Sequence, residues 1–570
     1  MTINIKLKTK LLKIDTNINL GEIKMKNIFI GGAWPYANNS LHIGHLAALL
    51  PGDVLARFFR KNGNTVFYVS GSDCHGTPIT VRANKLGVDA EKIASHYDNE
   101  FRKNFEDLDF SYDLYTNTMT EFHDNKVKQY LKQIADNGYF YEKTEKEDYC
   151  EHCGKYVSDR EIKGICPICG SVADGDQCDK CLTALTPDML KDKTCKVCGN
   201  PTVLKDNTHL YFKLSECDKH VGKLFEKYKV NWRPTAVNET AKYLKEGLRD
   251  RAITRSLNWG VELPFAGFED KRVYVWIEAV MGYLSAGEQA MTKAGVDFNT
   301  FMHDKNTVSY YVHGKDNIVF HTIILPALLG AIDDTLTMPE RIISCEYVNM
   351  GGDKMSKSKG NLIAVNTLLA NFDSDSIRYY FCLNNPEKRD SNFDLDDYVS
   401  IHNKHLVGGY GNFVNRNLSF LAKKFEGKLP KLQLDPEVKA EVEKTYATIK
   451  DLLEKGEIKE ATTRLYDYVQ YANKYYDTNE PWVLAKTDLD KFHAVTSNCI
   501  YLIANMANLY EPIMPKRALV VSELLGFDLN DFAPVSYDAS KIVSNVPLLF
   551  NRLDPEQIDM QKGATDTFNA

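Results

Sequence analysis

The sequence predicts an α/β protein in which a doubly wound parallel sheet is interrupted by a cysteine-rich insert and followed by an all-α helical bundle. Three observations carry this prediction: an N-terminal strand–glycine loop–helix pattern, four closely spaced C-x-x-C pairs, and C-terminal apolar residues at helical spacing. At 570 residues the chain is also too long for a single hydrophobic core. We therefore expect several domains.

The first ordered element is a buried strand, predicted at residues 27–30 from an unbroken apolar run. A loop rich in glycine and asparagine follows at 31–40, and a helix is predicted over 41–60 from its inward apolar stripe. A second strand is predicted at 65–69, and further strands at Val273–Trp276 and Thr307–Val312. A sheet that starts in this way binds its ligands at the carboxyl ends of the strands.

Eight of the thirteen cysteines form four C-x-x-C pairs between residues 150 and 198. The pairs are Cys150/Cys153, Cys166/Cys169, Cys178/Cys181 and Cys195/Cys198. Without an export signal, such pairs indicate metal knuckles rather than disulfides, and a redox role would need only one pair. Eight thiolates complete two structural four-cysteine Zn²⁺ sites. The spacing leaves the pairing open: neighbouring pairs could share a metal, or the inner four could take one zinc and the outer four the other.

From about residue 397 the pattern becomes helical. Asp435-Pro436-Glu437 is a typical helix start, with proline at the first helical position. One core face follows in the next helix, formed by Ile458, Ala461, Leu465, Val469 and Ala472. Further helices are predicted over about 397–425 and 489–512, so we expect a helical bundle.

Composition excludes little beyond membrane proteins. No apolar run approaches the roughly 20 residues that a membrane-spanning helix needs. Residues 1–24 lack the apolar core of a secretory signal, so we expect a cytoplasmic protein without a membrane partner. The net charge of −7 neither predicts nor excludes a nucleic-acid partner, because such binding depends on local basic patches.

Two distant segments carry phosphate-binding chemistry. His42-Ile43-Gly44-His45 places two histidines on one face of a helix, in its first turn, where backbone amides and the helix dipole attract anions. Lys354-Met355-Ser356-Lys357-Ser358 is flanked by glycines that let a loop close over a triphosphate, and its two ammonium groups would stabilise charge on a leaving pyrophosphate. Taken singly, the first could be a pair of capping histidines and the second a solvated loop. Together they predict a nucleotide site held from two sides.

At these segments the chain resembles the class I aminoacyl-tRNA synthetases, whose HIGH and KMSKS signatures they match. From about residue 25 to 550 the wider pattern is similar to the methionyl-tRNA synthetases. The supporting stretches are 33–38, 73–78, 274–279, 314–317 with His321, and 481–483. The insert carries zinc knuckles and is too short for the editing domain of the valine, isoleucine and leucine enzymes.

This resemblance implies a methionine–tRNA ligase that uses ATP with Mg²⁺ to form methionyl-adenylate and transfers the acyl group to tRNA(Met). Residues implied in phosphate chemistry are His42, His45, Lys354 and Lys357, and the ATP site adds Gly44, Gly314, Asp316 and Val348. The implied methionine pocket consists of Ala33, Trp34, Tyr36, Asp73, Trp276, Ala279, Tyr283 and His321, with Asp73 holding the ammonium. Trp482 would stack on an anticodon base.

Three positions depart from the family pattern. Trp34 stands where a leucine is usual, and Val280 replaces a common proline after Ala279, which puts the shape of the methionine pocket in question. Residues 405–410 lack the polar pair that some family members place beside the anticodon tryptophan.

The resemblance implies a Rossmann-like catalytic domain with a zinc-knuckle insert, followed by a helical-bundle anticodon-binding domain. The expected boundaries are an N-terminal extension, a candidate for disorder, at 1–24, catalytic halves at 25–142 and 211–396, the insert at 143–210, the anticodon-binding bundle at 397–550 and a tail at 551–570. A monomer is expected. Two alternatives are a non-charging paralogue that binds tRNA or nucleotide in a regulatory role, and a zinc-ribbon nucleic-acid-binding protein.

Overall fold

The computed structural model describes residues 25–157, 161–175, 178, 180–181, 185, 187–351, 353–354, 362–560 and 567–568, with Asp353 and Lys354 described by their backbone alone. Residues 1–24 and Lys357 lie outside this description.

The strands of the described residues fall into one central sheet and several small ones. In chain order they are β1 (Asn27–Gly32), β2 (Thr65–Ser72), β3 (Leu114–Asn117), β4 (Phe140–Cys150), β5 (Lys155–Tyr156), β6 (Ile162–Ile165), β7 (Val172–Asp174), β8 (Lys191–Cys195), β9 (Val203–Phe212), β10 (Arg251–Ala252), β11 (Thr254–Arg255), β12 (Arg272–Val273), β13 (Thr307–Gly314), β14 (Arg341–Cys345), β15 (Val348–Met350), β16 (Asp353–Lys354) and β17 (Ser391–Phe393).

The α-helices of the described residues surround the central sheet and form the C-terminal part. In chain order they are α1 (Ile43–Lys61), α2 (Thr77–Leu86), α3 (Ala90–Asp107), α4 (Glu121–Asp136), α5 (Asp218–Tyr228), α6 (Pro234–Glu246), α7 (Val275–Lys293), α8 (Phe298–His303), α9 (Leu325–Ile332), α10 (Val365–Asn371), α11 (Ser374–Leu383), α12 (Leu395–Ile401), α13 (Asn412–Lys424), α14 (Pro436–Glu454), α15 (Ile458–Asn479), α16 (Pro481–Thr487), α17 (Leu489–Tyr510) and α18 (Pro515–Leu525).

The central sheet is parallel throughout, in the order β14-β13-β1-β2-β3. From β1 the chain runs outward through β2 and β3, and it later returns to the other side of β1 with β13 and β14. The order therefore reverses between β1 and β13, and a ligand crevice is expected outside the carboxyl ends of these two strands. The doubly wound prediction is confirmed.

The predicted strand at Val273–Trp276 is wrong beyond its first residue. Arg272 and Val273 form the short strand β12, Tyr274 is an extended N-cap, and Val275 begins the 19-residue helix α7. The local apolar run does not distinguish a strand from a buried helix. Downstream, Ile277, Val280 and Met281 continue the helical spacing and are buried in the core.

The cysteine-rich segment stands on a long antiparallel ribbon. Strands β4 and β9 pair from Phe140↔Phe212 to Tyr149↔Val203, so the ribbon leads directly to Cys150. Beyond it, β6 pairs with β7 and β8 in a small antiparallel sheet. A compact cluster of buried residues, among them Ile162, Leu185 and Leu190, lies between the knuckles.

The C-terminal part is a helical bundle, as predicted. Helix α14 begins at Pro436, and the Asp435 carboxylate accepts a hydrogen bond from the amide of Glu437 at 2.8 Å. The helix predicted over 397–425 is interrupted, because residues 402–411 form ten residues of π-helix between α12 and α13. The wide π-turn begins at His402, whose Nδ1 contacts the Ser376 hydroxyl at 2.6 Å and whose Nε2 contacts the Asn551 carbonyl at 2.8 Å.

Among the described residues, the stretch 315–332 is long and apolar enough to pass for a membrane-spanning helix by length and composition. It is 61% buried within the protein. Burial of this kind is typical of a core helix.

Candidate active site and metal centres

A cavity of about 770 Å³ opens at the carboxyl ends of β1 and β13, where the sheet order reverses. The fold brings together there all the predicted methionine and nucleotide residues whose side chains are described. They are Ala33, Trp34, Tyr36, His42, Gly44, His45, Asp73, Trp276, Ala279, Tyr283, Gly314, Asp316, His321 and Val348. Lys354 contributes backbone to β16, opposite Asn349 of β15, while its side chain and Lys357 lie outside the described residues.

The two histidines of the first motif form a reciprocal cap on α1. His42 is the N-cap, with extended backbone, and its Nδ1 accepts from the Gly44 amide at 3.1 Å. The Nδ1 of His45 accepts from the His42 amide at 3.2 Å, and the two rings stack with centroids 3.8 Å apart. The prediction that both lie in the first turn is therefore wrong for His42, which precedes it. Because an accepting Nδ1 carries no proton, the neutral rings hold their proton on Nε2.

A hydrogen-bonded chain runs along one wall of the cavity. The Nδ1 of His321 contacts the Asn317 carbonyl at 2.8 Å, so it must donate, and its Nε2 accepts from the Tyr283 hydroxyl at 2.7 Å. Burial lowers the pKa of His321 to about 4. His313 stacks on His321 with centroids 4.0 Å apart, and burial lowers its pKa well below the usual range. Both rings are therefore neutral at pH 7.

The opposite wall carries Asp73, which is almost completely buried. Burial raises the pKa of its carboxyl well above the usual range, and the nearby Glu278 carboxylate raises it further. The Tyr36 hydroxyl contacts the Trp276 indole nitrogen, and the Tyr36 and Asp73 backbones form a bridge. An isolated carboxylate in such a setting favours a cationic ligand.

Trp34 fits the cavity because two glycines make room for its ring. A Cβ on Gly71 would lie 2.6 Å from Trp34 Cζ3, and one on Gly282 would lie 2.7 Å from Cζ2. Tyr283 meets the indole edge-on with centroids 6.5 Å apart. The departure at Trp34 is thus accommodated by two glycines that border its ring, and Val280 also lines the cavity.

The cavity lining also includes Gly314, Asp316 and Val348, which the sequence analysis predicts to contact a nucleotide. A Cβ on Gly314 would meet nothing within 4 Å, so the backbone borders open space. The Tyr347 hydroxyl donates to the Asp316 carboxylate, and the Lys315 ammonium, 3.8 Å from the Tyr347 ring centroid, also contacts Glu346 at 2.9 Å. These contacts fix the Asp316 side chain at the end of β13.

The cysteines form two nested clusters, which resolves the open pairing. The outer cluster consists of Cys150, Cys153, Cys195 and Cys198, and the inner one of Cys166, Cys169, Cys178 and Cys181. Within each cluster the Sγ atoms lie within 4.8 Å of one another, with contacts of 3.4 Å (Cys150–Cys198), 4.0 Å (Cys153–Cys195), 3.8 Å (Cys166–Cys181) and 3.5 Å (Cys169–Cys178).

These distances fit a tetrahedral metal. Sulfurs bonded to one Zn²⁺ at about 2.3 Å lie about 3.8 Å apart. Hydrogen bonds from Ser171 and Asn200 lower the pKa of Cys169 and Cys198 to about 6, whereas neighbouring sulfurs, Cys198 first, raise the pKa of Cys153 to about 12. Four crowded thiols with some readily ionised members are suited to a divalent cation.

Trp482 lies in the helical bundle, away from the cavity, with 39% of its surface exposed. The centroid of its ring is 5.4 Å from that of Tyr476, and the Arg416 guanidinium lies 3.9 Å from the same Tyr476 centroid. Arg416 is held by Asn473 at 2.9 Å and Asp477 at 2.8 Å. Sequence reasoning missed Arg416, because it looked for polar partners at 405–410.

Sequence reasoning also missed a buried polar group beside Asp73, formed by His75, His123 and Glu278. His75 lies two residues after Asp73 in the chain, and Glu278 is the only acidic residue in the first turn of the apolar helix α7. An acidic residue in such an apolar helix is rarely buried without a partner, so Glu278 could have pointed to this polar group.

Comparison with known proteins gives a consistent result over most of the chain. A family model described as "tRNA synthetases class I (M)" matches residues 28–418, and one described as "Anticodon binding domain of methionyl tRNA ligase" matches residues 431–548.

Among similar sequences, Methionine–tRNA ligase 1 of Alkaliphilus oremlandii is 43% identical over 528 residues, covering 93% of this chain and 97% of the relative. Methionine–tRNA ligase of Bacillus cereus (strain B4264) is 44% identical over 539 residues, covering 94% and 98%. The Mycobacterium tuberculosis methionyl-tRNA synthetase in complex with methionyl-adenylate has a similar fold, with a TM-score of 0.76, 24% identity, and coverage of 93% of this chain and 100% of that one.

Proposed function

The chain belongs to the methionyl-tRNA synthetases, a family of class I aminoacyl-tRNA synthetases, and from this premise we propose how its cavity activates methionine. Its function is the ATP-dependent ligation of methionine to tRNA, with release of AMP and pyrophosphate. One observation supports the proposed residue roles. The same cavity is lined by the His42–His45 cap, the Asp73 carboxylate and the Tyr283–His321 pair.

Methionine is proposed to bind with its ammonium on Asp73 and its thioether against Tyr283 and His321. A buried carboxylate gains most from a charge-assisted hydrogen bond to an ammonium. The neutral His321 and the aromatic rings of Tyr36 and Trp276 offer the weakly polar surface that a thioether prefers. Trp34 would close the pocket around the unbranched side chain.

ATP is proposed to lie across the start of α1. Since the cap occupies Nδ1 of both His42 and His45, their Nε2–H groups would be the phosphate donors, together with the positive end of the helix dipole. Asp316 would accept from the ribose hydroxyls, Gly314 would let the sugar approach closely, and the Val348 backbone would contact the adenine. Lys354 and Lys357 are proposed to hold the pyrophosphate, and Mg²⁺ would accompany the nucleotide.

The reaction then needs no covalent bond to the protein. A methionine carboxylate oxygen attacks the α-phosphorus, the bond to the bridging oxygen breaks, and pyrophosphate leaves with the electron pair. In the second step, the 2′-hydroxyl of the tRNA 3′-terminal ribose attacks the acyl carbon, the bond from that carbon to the phosphate oxygen breaks, and AMP leaves, its phosphate accepting the hydroxyl proton. Alignment and neutralisation of the growing phosphate charge supply the catalysis.

The two cysteine clusters are proposed to hold one structural Zn²⁺ each. Four protein thiolates close the coordination shell, so neither ion would offer an open position for catalysis.

The helical bundle is proposed to read the tRNA anticodon at Trp482. An exposed ring beside Tyr476, with the Arg416 guanidinium held over Tyr476, forms a stacking platform for splayed bases. We further propose that the protein is cytoplasmic and monomeric. Sedimentation of the purified chain tests the oligomeric state.

Methionine-dependent exchange between ATP and labelled pyrophosphate, followed by charging of tRNA(Met), tests the function. Exchange and charging are both expected. Exchange without charging would indicate the non-charging paralogue, and RNA binding without exchange would indicate the zinc-ribbon protein. K357A should lower exchange far more than methionine binding; an equal loss of both would contradict its role at the leaving group.

A further inference from the structure

Glu278 is completely buried and lies next to the pocket without lining it. It occupies the first turn of α7, the helix that carries Trp276, Ala279 and Tyr283 into the cavity. Its Oε1 lies 2.6 Å from Nδ1 of His75, which follows Asp73 by two residues. One carboxylate therefore ties the segment that carries Asp73 to the helix that forms the thioether pocket.

A second histidine contacts the same carboxylate oxygen. Nε2 of His123, on α4, lies 3.5 Å from Glu278 Oε1. The Nδ1 of His123 contacts the Ser285 hydroxyl at 2.9 Å, and that hydroxyl donates to the Gly282 carbonyl at 3.2 Å. These contacts orient the His123 ring so that Nε2 faces Glu278.

The cluster therefore contains two buried carboxylates, Asp73 and Glu278, and two imidazoles on the side of Glu278 alone. Burial by itself would raise the pKa of Glu278, but the charge of His75 and the hydrogen bond from His123 outweigh it and lower the pKa to about 2. Within the described part of the chain no imidazole contacts Asp73: burial and the Glu278 charge raise its pKa, against the lowering effect of the His75 amide, which donates to Oδ1 at 3.4 Å. Glu278 stays ionised, whereas Asp73 is the group whose ionised form would be stabilised by a cation bound beside it.

Among the described residues, the remaining titratable neighbours do not supply a cation to Asp73. Burial raises the pKa of Tyr36 above its ordinary value, so this phenol is neutral, and it raises that of the Cys74 thiol well above its ordinary value. Tyr274, at the N-cap of α7, also raises the pKa of the Tyr36 hydroxyl through its charge interaction. Asp98 and Arg102 of α3 form an ion pair at 3.0 Å that bears on Cys74.

We propose that the triad His75–Glu278–His123 is a positioning element for methionine: it locks Asp73 in register with α7, and its buried charge sets how strongly Asp73 attracts the substrate ammonium. This inference rests on the proposed function and adds residues that touch no substrate. It makes Glu278 a positioning residue, whose effect reaches methionine through Asp73.

The test compares E278Q and E278D in ATP–pyrophosphate exchange across pH 5.5 to 8.5. Glutamine keeps the shape and an acceptor for His75 but loses the charge, whereas aspartate keeps the charge. We expect E278Q to raise the methionine KM at least tenfold, with the ATP KM within twofold of wild type. Because one negative charge beside Asp73 is gone, the acid limb of kcat/KM for methionine should move to lower pH. E278D should retain the wild-type limb.

E288Q is the matched control, because Glu288 lies on the same helix but pairs with Lys126 at the surface. It should leave both KM values and the acid limb unchanged. If E278Q does not fold, S285A replaces it: this variant removes the hydroxyl that contacts His123 Nδ1, so the ring loses its orientation towards Glu278, and the methionine KM alone should rise.

An E278Q or S285A methionine KM within twofold of wild type, with an unmoved acid limb, would overturn the inference, as would an equal rise in the ATP KM. Absence of exchange in the wild-type protein would instead contradict the proposed function, so the two failures are distinguishable.

Discussion

Arg378 Nη2 lies 2.6 Å from Asp53 Oδ2, and both side chains are completely buried. The guanidinium also donates to the carbonyls of Leu108, Pro512 and Ile513. Asp53 sits in the middle of α1, whose first turn carries the histidine cap, and Pro512 and Ile513 follow the bundle helix α17. One ion pair thus joins the nucleotide helix, the second half of the catalytic fold and the helical bundle.

Replacing Asp53 by asparagine should destabilise the protein by about 3–5 kcal/mol, because Arg378 and Arg57 would both lose their buried carboxylate partner. Thermal unfolding followed by circular dichroism measures the effect. R464M is the control, since its pairs with Glu460 and Asp467 are exposed and should contribute nothing measurable. Equal midpoints for D53N and R464M would contradict the central role of this ion pair.

Substituting Gly282 by alanine should impair methionine binding through Trp34. The new Cβ would lie 2.7 Å from Cζ2 of the indole, which also packs against Gly71, so the ring must shift within the cavity. We expect a methionine KM at least tenfold higher in pyrophosphate exchange. The double variant W34L/G282A should restore most of the binding; a double variant no better than G282A would show that the clash lies elsewhere.

Paired cysteine substitutions test the nested arrangement by zinc content per chain. C166S/C181S alters only the inner cluster, so one zinc of two should remain. C150S/C166S alters both clusters, so none should remain. Sharing between neighbouring pairs would instead place Cys166 and Cys181 in different sites, and C166S/C181S would then lose both ions.

Alanine at Trp482 should weaken tRNA charging without affecting methionine activation. Loss of a stacked base costs about 1–3 kcal/mol, so the tRNA KM should rise roughly 5- to 150-fold. V483A is the neighbouring control, because Val483 is 41% exposed on the same helix and offers no stacking surface. A W482A protein with wild-type charging would remove this residue from the tRNA site.

Stability should fall as the pH drops from about 6.5 to 4. In this window the unfolded chain protonates its histidines, whereas buried His321, with a pKa of about 4, remains neutral, so protons favour the unfolded state. Complete loss of this contribution corresponds to about 3 kcal/mol. His313 acts in the same direction. Unfolding midpoints measured across the window should therefore depend less on pH in H313V than in the wild type.

The sign is opposite for His303. Contacts with the Asn299 carbonyl and Asp333 raise its pKa, so its contribution is present at low pH and lost as the pH rises through the folded value. H303Q should make the acid destabilisation steeper. A shallower profile for H303Q, or an unchanged one for H313V, would contradict these assignments.

The sequence predicts the sheet well where an element's pattern is local. The strands β1, β2 and β13 and the helices α1, α15 and α17 follow from apolar runs or from stripes at helical spacing. The region 273–276 fails because a short apolar run has no period, and only the register of the following residues shows that a helix begins at Val275.

The site required information that local patterns do not contain. Spacing cannot decide between adjacent and nested knuckles, since every pair has the same C-x-x-C form; the β4–β9 ribbon decides it by bringing Cys150 close to Cys198. Likewise, the histidines of α1 turned out to cap the helix, and this backbone role accompanies their place in the cavity.

The buried cluster His75–Glu278–His123 beside Asp73 was also hard to predict, because only the place of Glu278 in an apolar helix pointed to it. His75, His123 and Glu278 come from three elements, and only the packing of α4 against α7 brings them together. In the sequence, Trp34 departs from the leucine that is usual in the family. In the structure, Gly71 and Gly282, which are distant in the chain, make room for its ring. Such compensation is visible only when the three positions meet.

The nesting of the cysteine clusters also dictates an order of assembly. The inner knuckles are joined by the short connection from Cys169 to Cys178, whereas the outer ones must close the long connection from Cys153 to Cys195. Loop-closure entropy makes the longer closure costlier by about 1.4 kcal/mol. Formation of the inner cluster shortens the flexible path between the outer knuckles. The inner cluster should therefore form first, and folding of the insert should proceed from its tip towards the ribbon.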